Sequence, residues 1–233
     1  MFPPERRMSP MTKLLIATAA FLATHYVSST PLRARLIDAL GNNGYLVLYS
    51  AAAVATLVAM IWAYYRAPFI GLWYAPGLRY TPLIVMPSAM VLIACSLLTR
   101  SPTLVGGERL LKSEEPARGI LRITRHPMMW GIALWAASHV LARGDAAALI
   151  FFGGFLVLAL SGTALIDRRK QATLGADWQR FAKATSNVPF AAIAGGTAQL
   201  KLAEIGWMRL FVGIALYVVV LMLHSHILGA RPY

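Results

Sequence analysis

Apolar positions along this chain fall into long runs, separated by short stretches rich in glycine, proline and basic residues. The runs predict helices over residues 12–29, 45–65, 83–98, 127–142, 146–166 and 206–228. A helix of about 20 apolar residues crosses the ~30 Å hydrocarbon core of a bilayer. The expected fold is therefore all-α: a polytopic membrane helical bundle of six transmembrane helices, one domain over residues 1–233. Pro31 closes the first run, Gly41 and Gly44 mark the turn before the second, and Pro82 opens the third, which Pro87 crosses. The fourth run is short for a span, which calls for a thinner bilayer or a tilt among its neighbours. The fifth carries Gly153, Gly154, Ser161 and Gly162, small residues that let helices approach closely in lipid. Residues 167–183 continue as a charged helical stretch with Trp178 and Phe181 on one side, a pattern expected to lie on the membrane surface. Thr185-Ser186 and Pro189-Phe190 then break it.

Composition agrees with the pattern: 58% of residues are hydrophobic and 13% charged, with a mean hydropathy of +0.60. The net charge of +13 lies in the loops, where anionic lipid attracts it, so membrane lipid is the expected partner and nucleic acid is not. Lysines and arginines divide 15 to 7 between the two sides of the predicted bundle. The richer side is expected to be cytoplasmic, which puts both termini on the periplasmic side. No small-residue cleavage site competes with the first run continuing as a span, so it is expected to be a retained helix. The one cysteine, Cys95, falls inside an apolar run, where it suits packing and cannot form an intrachain disulfide.

Candidate chemistry concentrates in residues 119–139. Arg118, Arg122 and Arg125 lead into His126-Pro127. Proline suits the first turn of a helix, so Arg125 and His126 stand at a helix mouth, where exposed N–H groups and guanidinium favour an anion. Asp167, at the end of the fifth span, is a candidate partner for Arg125 or Arg122. His25 and His139 each sit inside an apolar helix, where a titratable ring costs free energy without a partner. Neutral imidazole is a good ligand for haem iron, and the apolar faces of haem suit a helix bundle. The bland alternative is two histidines bonded to backbone carbonyls. Depth bears on the pairing: His139 lies about 18 Å past Pro127 along its helix and His25 only about 5 Å from the end of its own. Span four must tilt or start recessed for them to share an iron; otherwise His126 is the partner of His25. No Walker loop, Rossmann glycine pattern, zinc spacing or hydrolase triad is present.

Ile120-Leu121-Arg122-Ile123-Thr124-Arg125-His126-Pro127, Trp135 with His139, Asp167-Arg168-Arg169, and Thr185-Ser186 followed by Pro189-Phe190-Ala191-Ala192-Ile193 together resemble the NnrU family of membrane proteins. The motif-dense core is 119–193, and His25 with Pro31-Leu32-Arg33 fits as well. That family includes denitrification-linked bacterial proteins and a carotene isomerase. The resemblance implies a bacterial inner-membrane protein with haem b held by His25 and His139. It further implies cis–trans isomerisation of a hydrophobic carotenoid-like polyene. The cofactor-binding set is completed by Arg122, Arg125 and His126, whose helix mouth suits a haem propionate or another carboxylate or phosphate, with Asp167 as their pairing partner. Ala136 stands where the isomerase has a cysteine, so a ligand switch through that thiol has no counterpart here. A looser resemblance to the isoprenylcysteine and phospholipid methyltransferases implies an S-adenosylmethionine site at the Arg125-His126 mouth; Met129, Ile166 and Asp167 depart from that plan. A third expectation is a non-enzymatic accessory protein of nitrite or nitric-oxide respiration, with a respiratory or redox partner.

Overall fold

The computed structural model describes residues 8–104 and 106–229; Arg6, Arg7 and Arg231, which enter the charge asymmetry, lie outside the described residues. The helices are α1 (Pro10–Val27), α2 (Leu32–Arg66), α3 (Thr81–Leu98), α4 (Pro127–Arg143), α5 (Ala146–Lys183), α6 (Ala191–Ala194), α7 (Leu202–Ile205) and α8 (Trp207–Leu228). Short 3-10 turns occupy Pro76–Tyr80, Glu108–Lys112 and Gly119–Arg122. Among the described residues, 4 helical segments are long and apolar enough to cross a membrane: Leu32–Arg66, Pro76–Leu98, Ala146–Lys183 and Trp207–Ile227. The other two predicted spans are α1 and α4. α1 has 18 residues, and Lys13 and His25 lower its hydropathy. α4 has 17, about 25 Å of helix against a ~30 Å core. Both are packed into the bundle, α1 against α2 and α5, α4 between α3 and α5, with α8 covering α3.

Proline and glycine set the local breaks. Pro10 and Pro127 sit in first turns, and Ser9 and Asp145 cap α1 and α5 through side-chain oxygens. The turn expected at Gly41 is a kink within α2, with φ 70° and ψ 167°, and the helix resumes on both sides. Small residues in α5 divide in role. A Cβ on Gly154 would lie 2.6 Å from Thr18 Cγ2, so this glycine lets α5 close on α1, whereas Gly153 has nothing nearer than 3.9 Å. Gly131 does the same for α4 against Ile93 of α3, and Gly213 for α8 against the Val91 backbone.

Two apolar cores result. One joins α1, α2, α4 and α5 through Leu14, Phe21, Met60, Ala136, Phe151 and Phe152. The second is a cap at the end of the bundle where α4 begins, built from Cys95, Leu111, Leu121, Trp178, Phe181 and Ile205. Trp178 and Phe181 correct the expectation of a surface helix. They are 2% and 0% exposed, covered by the protein's own loops, and the stretch carrying them is continuous with α5 up to a break at Gly175. Each such aromatic contributes about 1.5–3 kcal/mol by leaving water. α2 and α8 keep exposed apolar faces, with Val47, Val54, Phe211 and Met222, as lipid-facing helices do.

Candidate functional site

The 3-10 turn Gly119–Arg122 delivers Arg125 and His126 to the start of α4. Arg125 N–H donates to the Ser186 carbonyl (2.9 Å), and Thr124 Oγ1 donates to the Asn187 carbonyl (2.6 Å). The turn is thereby stitched to the loop after α5. That loop bends at Phe190, which holds a left-handed φ of 65° while its N–H donates to the Ile123 carbonyl (2.8 Å). From α5, Asp167 reaches into the mouth. Arg125 Nη2 donates to Asp167 Oδ2 at 2.6 Å, and Arg125 Nε lies 3.1 and 3.0 Å from Oδ1 and Oδ2. His126 Nε2 donates to Asp167 Oδ1 at 2.7 Å. Arg125, His126 and Asp167 are therefore brought together, and the carboxylate that answers them belongs to the chain itself. With Arg125 Nη1 on the Thr185 carbonyl, the guanidinium fork is filled.

Arg122 is occupied in the same way, by residues the sequence does not connect to it. Its Nε and Nη2 donate to Glu204 of α7 (2.8 and 3.1 Å), and Nη2 also meets Glu115. Gly119 N–H adds a bond to Glu204 (3.0 Å). Gly119 has φ +58°, and a Cβ there would lie 2.9 Å from the Glu204 carbonyl oxygen, so this close approach requires glycine. Arg122 and the Gly119 N–H hold the Glu204 carboxyl well down, to about 2. Lys170, 5% exposed, pairs with Glu108. No local spacing signals either pair, since the partners lie some 60 to 80 residues apart.

The histidines sit elsewhere. His25 Nδ1–H donates to the Phe21 carbonyl and His139 Nδ1–H to the Trp135 carbonyl, both at 2.8 Å and both four residues back along their own helices. A carbonyl accepts only, so each Nδ1 carries a proton; in a neutral ring so held Nε2 keeps its lone pair, the tautomer a metal takes. α1 and α4 run in opposite directions, so the two rings lean toward one another. They do not meet. Phe21, Phe155 and Trp135 form the layer between, with centroid contacts of 4.3 Å (His25–Phe21), 5.0 Å (Phe21–Phe155), 5.0 Å (Trp135–Phe155) and 5.7 Å (Trp135–His139). α5 serves as a ruler. Tyr26 bonds Ser161, while His139 stacks on Phe152. Nine residues of α5 separate these contacts, about 13 Å of depth.

His139 lines a cavity of about 790 Å³ at the far end of the bundle, bounded by α2, α3, α4, α5 and α8. Trp135, Phe152 and Phe155 form its inner wall, and Arg79 and Arg143 stand at its rim. His224 of α8 lines it too. Volume and apolar lining are those of a small-molecule site. Among the described residues no group of three or more His, Cys, Asp or Glu gathers to hold a bare metal ion. An iron that brings its own macrocycle would need few donors from the protein; His139 would supply a donor beside open space. His25 would supply a donor with Phe21 packed against it.

The chain belongs to the NnrU family: the family described as NnrU protein matches residues 13–232. Two curated relatives are similar over a shorter stretch. The chloroplastic 15-cis-zeta-carotene isomerase of Arabidopsis thaliana is 41% identical over 78 residues, 34% of this chain and 21% of its own length. That of Zea mays is 39% identical over 82 residues, 35% of this chain and 22% of its own length. The chain thus matches about a fifth of the length of these relatives. No solved structure matches it.

Proposed function

We propose that this NnrU-family membrane protein binds haem b through His139 in the adjoining cavity and isomerises a double bond of an extended apolar polyene. The observation that carries the assignment is His139 itself, an imidazole with Nδ1 tied to its own helix and its ring lining an apolar cavity of about 790 Å³. Partial similarity to 15-cis-zeta-carotene isomerases supports the reaction class. Haem iron, when bound, would supply an electron-rich centre able to lower the barrier to rotation about a conjugated double bond. The protein's own residues bind, orient and keep water out. Trp135, Phe152 and Phe155 present rings to the apolar ligand of that cavity and fix its register. The Trp135 carbonyl holds the His139 tautomer and ring direction, so the donor atom is set before any ligand arrives. His25 is the candidate for a second residue that would hold the haem. For both histidines to do so, Phe21 and Phe155 would have to leave the layer between the rings.

A methyltransferase at the Arg125-His126 mouth has less support, because Asp167 occupies both side chains. The test is a visible absorption spectrum of the purified protein, as isolated and after haem reconstitution. A haem spectrum that His139→Ala removes, and that His126→Ala leaves intact, is the expected result. His25→Ala should convert a low-spin spectrum to high-spin where the second ligand forms. An absence of haem absorbance in wild type under reconstitution, with no change in any variant, would sink the assignment and leave an accessory role.

A further inference from the structure

We infer that Arg79 and Arg143 form a carboxylate-binding rim that grips the acidic edge of the ligand held in the His139 cavity, namely the propionates of haem. The inference rests on the haem assignment at His139. Its own support is the position and charge of the rim. Arg143 lies four residues beyond His139 on α4, so the two share a helix face about 6 Å apart in rise. Arg79 comes from the turn Pro76–Tyr80, which packs against α4, and both arginines line the cavity. The cavity runs inward from this rim. Arg143 to Trp135 is eight residues of α4 and Asp145 to Phe155 ten residues of α5, about 12 and 15 Å of helix. It is an apolar shaft with cations at one end.

Among the described residues the charges at that end do not cancel. Asp145 is 1% exposed; its Oδ2 accepts from Arg143 Nε (3.2 Å) and its Oδ1 caps α5 through the Ala148 N–H (2.9 Å). Both of its oxygens are in use, and it answers one guanidinium of the two. Arg79 lies over the Tyr80 ring at 5.2 Å, and among the described residues no carboxylate is within ion-pair distance of it. The rim is held stiffly. Leu72 and Trp73 N–H both donate to the Gly144 carbonyl (2.8 and 3.1 Å), and Ala146 N–H donates to the Ile70 carbonyl (2.9 Å). Gly144 caps α4 at φ +62°, where a Cβ would lie 2.3 Å from the Trp73 carbonyl oxygen. Contrast the opposite end of α4, where Arg122 and Arg125 are filled by Glu204, Glu115 and Asp167. An external carboxylate finds an open guanidinium at the cavity rim and not at the Arg125 mouth.

A carboxylate on an apolar body is found in haem and equally in a polyene acid, and esterification removes the charge from either while keeping the body. The experiment titrates haem, haem dimethyl ester, retinoic acid and methyl retinoate into the full-length protein in an uncharged detergent, followed by visible and near-ultraviolet absorbance. Wild type is expected to bind haem about tenfold or more tightly than its diester, the worth of a charge-assisted hydrogen bond. Arg79→Gln should weaken haem about tenfold and leave the diester unchanged, and Arg79→Lys should restore part of the loss. Arg79 is the residue varied because Arg143→Gln would also strand the buried Asp145 and could unfold the rim. Equal binding of haem and diester in wild type, with no effect of Arg79→Gln, overturns the rim and leaves Arg79 a lipid-phosphate anchor. Failure of both porphyrins to bind removes the haem assignment, and the retinoid pair then decides. A preference for retinoic acid that Arg79→Gln abolishes supports a carboxylate rim for a polyene acid. Equal binding of acid and ester overturns the rim.

Discussion

Replacing Asp167 by Asn keeps the shape of the side chain and removes the charge that two helices share. Wild-type Asp167 takes a forked ion pair from Arg125 and a hydrogen bond from His126, with side-chain exposures of 19%, 13% and 1%. Removing one partner of a buried pair leaves the other charge desolvated and unanswered, which costs about 3–5 kcal/mol. The partial exposure of Arg125 and Asp167 lets water screen some of this, so the expected loss is near the lower figure, about 3 kcal/mol. For a chain of this size that is a fall in Tm of roughly 6–12 °C. The assay is thermal unfolding of the purified protein in a mild detergent, followed by tryptophan fluorescence, for wild type, Asp167→Asn, Arg125→Gln and the double variant. The double variant should lose less than the sum of the singles, because the second substitution removes a charge already stranded. A Tm for Asp167→Asn within about 2 °C of wild type, less than a 1 kcal/mol effect, or strict additivity in the cycle, would refute the shared-carboxylate account of the Arg125 end.

Gly213→Ala is expected to lower stability by about 1–3 kcal/mol, since its Cβ would lie 2.6 Å from Val91 Cα, a backbone atom that cannot step aside. Gly153→Ala, with 3.9 Å to its nearest neighbour, should match wild type in the same melting assay. Glu204 gives a pH dependence of known sign. Its folded carboxyl titrates at about 2, below the ordinary 4.5, so its contribution is fully present above about 4.5 and fades as pH falls toward about 2. Acid titration should therefore loosen α7 from the cap in that window, and Glu204→Gln should show the loss already at neutral pH; a flat wild-type Tm between pH 5 and about 3 would refute the linkage.

Helix positions were the most legible part of the sequence, because proline and glycine punctuate them. The predicted 127–142 and 206–228 became Pro127–Arg143 and Trp207–Leu228. The pairing of Asp167 with Arg125 was legible as well, since both flank spans on one side. The cap was not. Trp178 and Phe181 share one helix face whether that face meets lipid or protein, and periodicity carries no information about what covers it. Glu204 gave no signal, for its partner Arg122 is 82 residues away. The layer of Phe21, Phe155 and Trp135 between the histidines was equally hidden. Apolar spans are rich in phenylalanine whichever way the rings point, so the sequence marks two histidines and leaves open whether they meet. His224 and the arginine rim were missed for a related reason: polar residues at span ends serve as interfacial anchors in most membrane helices.

The chain has 9 acidic residues against 22 lysines and arginines, so where each carboxylate is used indicates which cations the fold itself needs. Glu108, Glu115, Asp167, Asp177 and Glu204 all pair with basic residues in the cap at the start of α4. There they hold loops and helix ends together around the second core. Among the described residues the cavity end receives Asp145 alone, and Asp145 is shared between Arg143 and the cap of α5. A fold that needed the rim arginines only for its own cohesion would place carboxylates beside them, as it does at the cap. Their imbalance costs little in solvent and becomes a binding contribution when an anionic ligand edge enters from above His139. The same bundle thus has one end closed by its own charges and another whose charge is completed from outside.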